Sequence, residues 1–236
     1  KRVDIFLDYA SEIVSHLSGV ERLYVESFRL AAIRFTRPIS VDLKKLVDEV
    51  RQIEESPTQQ FVLGSLLKEY AAQFWFNTLD SEEFSIVEKN ELWSNEVLPI
   101  YEEADQLMLE QQDWEGLATS YGFQGNILTD LGLWEEAIRM LDMDLELVER
   151  NHFSHQKASL HQRLANLHAQ LIIRCIEQNK VEDSVDLLRS WFDIAYQHVE
   201  WAMEVSDRMQ QPWMTTYIKT TENLLNEYKL QIQSTL

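Results

Sequence analysis

Apolar residues recur every three or four positions along most of the chain, a spacing that places side chains on one face of an α-helix. The first such stretch covers residues 3–17 and ends beside Gly19, a residue type that favours helix C-caps. A second predicted helix covers residues 20–36 and stops at Arg37-Pro38. No segment shows the alternation of apolar and polar residues that is typical of a strand, so we expect an all-α fold.

Three more helices are predicted in the first hundred residues. Ser40 can cap a helix that ends at Ser56-Pro57. Its inward-facing residues are Leu43, Leu46, Val47, Val50 and Ile53. Thr58 can cap the next helix, FVLGSLLKEYAAQFWFNTL, which is apolar on most sides and is therefore expected at the centre of the fold. Ser81 is expected to open a helix rich in acidic residues.

A short unit recurs from residue 101 onward, with an apolar residue followed by two acids and a small residue. It reads YEEA at residues 101–104, WEEA at residues 134–137 and VEDS at residues 181–184. Self-similarity at an interval near 34 residues is typical of helix-turn-helix repeats. Two acids in a first turn complement the positive end of the helix dipole, and the small residue lets a paired helix approach closely.

Residues 118–150 resemble one repeat of the tetratricopeptide family, in the segment ATSYGFQGNILTDLGLWEEAIRMLDMDLELVER. The resemblance rests on the aromatic Tyr121, the small residues Gly125 and Ala137, the turn at Leu131-Gly132, Trp134 at the start of the second helix, and Leu141 in the core. Two positions depart from the family's pattern. Asp144 stands where alanine is usual, and Glu149 lies near the usual proline.

The resemblance implies an α-solenoid of stacked antiparallel helix-turn-helix repeats, with about ten or eleven helices in the chain. Residues 85–112 are expected to be a degenerate repeat before the clear one, and residues 159–205 a lengthened one after it. We therefore divide the chain into a helical N-terminal part without clear repeats, residues 1–79, and a repeat region, residues 80–236, that forms one continuous array.

The lengthened repeat predicts long helices in the C-terminal third. They should cover residues 154–179 and 181–210, on either side of a turn at Asn179. Gln211-Pro212 should end the second of them, and a last helix is expected over residues 213–230.

In the tetratricopeptide family the first helix of each repeat lines the ligand groove. The resemblance places Thr119, Gly122, Asn126, Thr129 and Asp130 in that groove. Asn126 matches an asparagine with which chaperone-binding members hold a peptide backbone or a terminal carboxylate. Those members also need a lysine where Gly122 stands, so a neutral or basic segment is the more suitable ligand here.

The charge of the chain is concentrated in its middle third. The net charge is −19, and residues 80–149 contain 19 acidic side chains against Lys89 and Arg139. An acidic chain repels phosphate backbones, so we expect no nucleic-acid binding. The acidic stretch is either a solvated surface or a surface that attracts a basic partner.

The composition also bears on the compartment. Apolar residues make up 45%, enough for a sizeable core, and the single cysteine, Cys175, suits a reducing compartment. No apolar run is long enough for a membrane span, and acids interrupt the first fourteen residues as they would not in a signal peptide. We expect a cytoplasmic protein without membrane contact. Because the chain begins with Lys1, we also expect it to be part of a longer protein.

Catalytic chemistry finds little support in the motifs. His152, His155, His161 and His168 are close in sequence, but no HExxH occurs, which favours surface or core histidines over a metal site. Two segments, 150–155 and 163–168, match the Arg…His spacing of HEPN-type RNases, as about one segment would by chance. Nucleophile and phosphate-loop motifs are absent, so we predict no catalytic residue, no metal and no cofactor.

The C-terminal third is rich in aromatic residues that either pack in the core or line a pocket. The candidates for a pocket are Trp191, Tyr196, Trp213 and Tyr217. The sequence therefore favours a protein- or peptide-binding scaffold or sensor module of a larger signalling protein. The alternatives are a receptor for a small ligand or signalling peptide and, more remotely, an HEPN-like RNase. The sequence does not indicate an oligomeric state.

Overall fold

The computed structural model describes residues 12, 16–17, 19–34, 43–79, 84–178, 185–210 and 212–235. All regular secondary structure in these ranges is helical, which confirms the predicted all-α class. The helices are α1 (Gly19–Arg34), α2 (Leu43–Arg51), α3 (Pro57–Leu79), α4 (Ile86–Leu92), α5 (Leu98–Glu110), α6 (Trp114–Leu131), α7 (Trp134–Arg150), α8 (Lys157–Glu177), α9 (Val185–Arg208) and α10 (Pro212–Thr235).

The chain forms two compact units, Lys1–Ser120 and Tyr121–Leu236. The sequence instead placed the boundary between residues 79 and 80. The division falls within α6, inside the best-matching repeat, and the arrangement of the repeats as one solenoid remains a prediction. The predicted helix over residues 3–17 lies almost entirely outside the described residues, as do Pro38, Ser40, Ser81 and Asn179.

Helix α3 lies at the centre of the first unit, as predicted, and packs against α1, α2 and α5. Its predicted cap is wrong. Gln59 donates its backbone N–H to Ser56 Oγ at 3.1 Å, so Ser56 rather than Thr58 caps the helix. Pro57 follows as the first helical residue, where its missing N–H costs nothing.

Residues 86–110 of the first unit form one long helix rather than a hairpin. Helix α4 begins with a capping box between Ser85 and Glu88, and it continues through a π-helical segment, Trp93–Val97, directly into α5. The Trp93 ring lies edge-on to Trp75 of α3, with centroids 6.1 Å apart. The predicted degenerate repeat over residues 85–112 therefore lacks the turn that a helix-turn-helix repeat requires.

The second unit contains the helix-turn-helix that the sequence predicted. Gly132 has a φ of +74° at the turn between α6 and α7, a conformation that glycine adopts without strain. Leu141 of α7 packs against Gly125 of α6 so closely that a Cβ there would lie 2.6 Å from Leu141 Cδ2. The long helices α8 and α9 pack along each other, α7 packs against α8, and α10 packs against α8 and α9. Helix α10 extends five residues beyond its predicted end at Leu230.

Candidate functional site

A buried ion pair lies beside Gly122, one of the residues that the resemblance places in the ligand groove. Asp144 of α7 is 1% exposed, and Arg163 of α8 donates from Nη1 to Asp144 Oδ2 at 3.1 Å. The Arg163 guanidinium also lies 5.5 Å from the centre of the Phe123 ring on α6. A Cβ at Gly122 would lie 2.1 Å from Arg163 Nη1, so this pair fills the space that a side chain there would need. Gly122 is therefore buried, and its place in a ligand groove stays a prediction.

The apolar stripe of α7 explains why this carboxylate is buried. Asp144 shares the buried face of the helix with Ala137, Leu141 and Val148, at intervals of three or four residues. A charge on such a face needs a counter-charge, and Arg163 supplies it from the next helix. The sequence showed Asp144 as a departure from the family's alanine, but it gave no sign of its partner.

Burial controls the titration of this pair. Loss of solvation raises the pKa of the Asp144 carboxyl from its ordinary value of 3.8 to about 6, and the opposing attraction of Arg163 is the smaller effect. Between these two pH values, the Asp144 carboxyl therefore keeps its proton in the folded protein, whereas it has lost the proton in the unfolded chain. The stabilisation that this bound proton gives to the folded state is fully present below the ordinary pKa of 3.8. It is lost as the pH rises to about 6.

We expect Asp144→Asn to change the pH dependence of stability. The advantage of the wild type over this variant should decrease by about 2–3 kcal/mol between about pH 4 and pH 7, measured by urea unfolding. Asp142→Asn changes an exposed carboxylate on the same helix and is the matched control. A wild type and an Asp144→Asn variant whose stabilities stay parallel over this range would contradict the assignment.

The other predicted groove residues have mixed environments on α6. Thr129 is 2% exposed, and its hydroxyl donates to the Gly125 carbonyl oxygen at 2.8 Å. Asn126 is half-buried and Asp130 is exposed. Thr119 lies in the first unit, where its hydroxyl donates to the Glu115 carbonyl oxygen at 3.0 Å. That these residues bind a ligand together stays a prediction.

The solvent face of α7 is acidic. Five exposed acids lie on it: Glu135, Glu136, Asp142, Glu146 and Glu149. Glu146 pairs with Arg150 at 3.9 Å, whereas Glu135, Glu136 and Asp142 form no ion pair within the described part of the chain. Ile138 is 42% exposed among these acids. The face therefore combines carboxylates that form no ion pair with an apolar side chain, and the exposed Arg139 lies among them.

The predicted aromatic residues differ in burial. Trp191 is half-buried and packs against the core of the second unit. Tyr196 donates its hydroxyl to Asn226 Oδ1 at 2.7 Å, and the Lys229 ammonium lies 5.0 Å from its ring. Tyr217 is 57% exposed, and the Trp213 side chain lies outside the described part of the structure. An open depression of about 640 Å³ on α9 includes Tyr196 but neither Trp191 nor Tyr217 among its lining residues.

The arginines of the two RNase-like segments are engaged in other contacts. Arg163 holds Asp144, and Arg150 pairs with Glu146. Of the histidines in these segments, His155 is exposed in the turn after α7, and His168 Nδ1 is 2.8 Å from the Leu164 carbonyl oxygen. The first segment crosses the end of α7, as predicted, rather than lying within a helix.

The sequence missed one grouping altogether. His198 and Trp201 of α9 lie beside His161 and His168 of α8, 30 or more residues away in the chain. Only the packing of the two helices reveals this cluster. The described residues contain no group of three or more His, Cys, Asp or Glu in an arrangement that could hold a metal ion.

Within the described ranges, no helix is both long enough and apolar enough to cross a bilayer. Comparison with known proteins adds no identification, since no family model, no curated protein and no solved structure matches this chain. The resemblance of residues 118–150 to a tetratricopeptide repeat therefore rests on the quoted residues and on the helix-turn-helix that they form.

Proposed function

We propose that this protein is a binding module for a basic protein or peptide segment, and that the solvent face of α7 is its contact surface. The observation that carries the proposal is the acidic face itself, with Glu135, Glu136 and Asp142 unpaired within the described residues around the exposed Ile138. A lysine- or arginine-bearing segment with an apolar residue would complement both properties.

The position of this face also supports partner binding. The buried half of α7 is anchored by Leu141 against Gly125 and by Asp144 against Arg163. The acids are therefore held on a rigid helix rather than on a loop, which limits the conformational entropy lost on binding. The resemblance to tetratricopeptide repeats supports the same class of function, and membership in a larger signalling protein belongs to this proposal.

The other two functions have weaker support. A receptor for a small ligand needs a concave site with convergent polar groups, and the depression beside Tyr196 is open and lined from a single helix. An RNase of the HEPN type would need Arg163 or Arg150 to contact phosphate. Arg163 donates to Asp144, and Arg150 pairs with Glu146.

Charge reversal on α7 should weaken binding of basic peptides. We expect Glu135→Lys/Glu136→Lys/Asp142→Lys to raise the Kd for lysine-rich amphipathic peptides by roughly tenfold or more, or about 1.4 kcal/mol. Fluorescence anisotropy with labelled peptides measures this change. Wild-type affinity should also fall steeply as salt is added, because the attraction is between exposed charges.

The matched control reverses three exposed acids on α9, Asp193, Glu200 and Asp207, which gives the same net charge. Circular dichroism and thermal melting would establish that both triple variants are folded. Equal weakening by both variants would mean that peptides respond only to the overall charge of −19, and the proposal would fail. Affinity unaffected by salt and by the α7 reversal would also refute it.

A further inference from the structure

Three histidines and a tryptophan meet where α8 packs against α9. The rings of His161 and His198 are stacked with centroids 5.3 Å apart, and their Nδ1 atoms are separated by 3.2 Å. The His168 ring lies 6.1 Å from that of His198. The Trp201 ring lies 5.1 Å from His161 and 5.4 Å from His198, and Trp201 is 41% exposed. We call this group the histidine cluster.

The contact between the two Nδ1 atoms restricts the protonation of the cluster. A hydrogen bond between imidazole nitrogens requires that one carries a proton and the other a lone pair. Neutral His161 and His198 meet this condition with opposite tautomers, and one added proton can still be shared as an imidazolium–imidazole bond. With both rings charged, two N–H groups face each other at 3.2 Å, and the rings must separate.

The third histidine, His168, further limits how many protons the histidine cluster can take up. His168 Nδ1 lies 2.8 Å from the Leu164 carbonyl oxygen, so it donates a proton there, and a positive charge on His168 would act on His198 through the adjoining ring. Burial lowers the pKa of all three imidazoles. The pKa of His198 falls to about 4, through burial first and then through repulsion from His161 and His168.

Charged groups on α7 and α8 also change the pKa of His161. Lys157, on the same helix as His161, lowers its pKa, and Glu149 of α7 partly opposes the effect. Helix α10 also packs against α8 and α9, and its Glu222 and Lys229 act on Tyr196 of α9. The carboxylate Glu149 supports a single added proton on His161, and Lys157 disfavours it.

We propose that the histidine cluster is a pH-sensitive latch between α8 and α9, closed while its imidazoles are neutral and released when the cluster takes up more than one proton. The contacts of the latch join α8 and α9, the most extensively packed helix pair of the second unit. Its release would loosen the pair along one side and expose Trp201 further.

The direction of the pH effect follows from the lowered pKa values. The unfolded chain binds protons near the ordinary histidine value of 6.5, whereas folded His198 resists protonation down to about 4. The stabilisation from the neutral cluster is therefore fully present above 6.5 and is lost as the pH falls toward 4. Asp144 titrates in the same interval with the opposite sign, so the test must compare variants that all retain it.

The test compares urea unfolding of the wild type, His198→Gln and His161→Gln at about pH 7.5 and pH 5. Between these conditions, the unfolding equilibrium constant of the wild type should rise roughly tenfold more than that of either variant. His155→Gln is the matched control, since His155 is exposed and lies outside the cluster. It should respond to pH as the wild type does.

A second measurement uses the wild-type chain and does not depend on the folding of a variant. The NMR titration of its histidine ring protons should show coupled midpoints below 6.5 for His161, His168 and His198. The Trp201 fluorescence, obtained by subtracting the Trp201→Phe spectrum, should change over the same pH interval. Independent midpoints at the ordinary histidine value, or a pH response that His198→Gln leaves unchanged, would overturn the proposal.

Discussion

Replacing Arg163 with methionine should lower the free energy of unfolding by about 3–5 kcal/mol, which is the cost of removing one partner from a buried ion pair. The methionine fills much of the same volume, so the loss comes mainly from the Asp144 carboxylate that remains. That side chain is 1% exposed, so without the guanidinium it must remain an uncompensated charge in the interior or take up a proton. Urea unfolding near neutral pH measures the effect.

Two further variants identify its cause. Arg174→Met removes another arginine from α8, one that is exposed and lies over the Trp134 ring at 5.4 Å, and it should cost less than about 1 kcal/mol. Asp144→Leu/Arg163→Met replaces both charges by apolar groups and should recover most of the stability lost in Arg163→Met. If Arg163→Met costs no more than Arg174→Met, the buried pair does not carry the stability assigned to it.

The sequence predicted helices well because periodicity is a local property, and it predicted their ends less well. Pro57 illustrates the difficulty, since a proline can follow one helix or begin the next, and Ser56 decides the matter only through its bond to Gln59. The continuous helix from α4 to α5 was missed for another reason. Its π segment accompanies the packing of Trp93 against Trp75 on α3, a contact between residues far apart in sequence.

The candidate sites show the same division between local and tertiary information. The acidic face of α7 could be read from the sequence, because residues on one helix have a fixed angular order. The departure at Asp144 was also visible, but its meaning depends on Arg163, which reaches it from α8. The histidine cluster could not be predicted, because His198 joins His161 only when α8 and α9 pack.

Replacing Gly122 with alanine should destabilise the protein by about 2–4 kcal/mol, although the position is inside a helix. In an unconstrained helix this change would be worth about 1 kcal/mol of stabilisation through propensity. Here the new Cβ would lie 2.1 Å from Arg163 Nη1 and 2.6 Å from Asp144 Oδ2. Both the Arg163 guanidinium and the Asp144 carboxylate must shift to make room, so the variant incurs part of the cost of breaking the buried pair.

Whether Gly122→Ala stabilises or destabilises the protein in two backgrounds tests if the clash with the Arg163–Asp144 pair is the cause. In an Asp144→Ala/Arg163→Ala background both obstructing groups are absent, so Gly122→Ala should become neutral or stabilising. Stabilisation in the wild-type background would show that the pair yields easily and does not require glycine. The same geometry predicts that Gly122→Lys creates no carboxylate clamp of the kind known in chaperone-binding tetratricopeptide proteins, because its stem would meet Arg163 before reaching solvent.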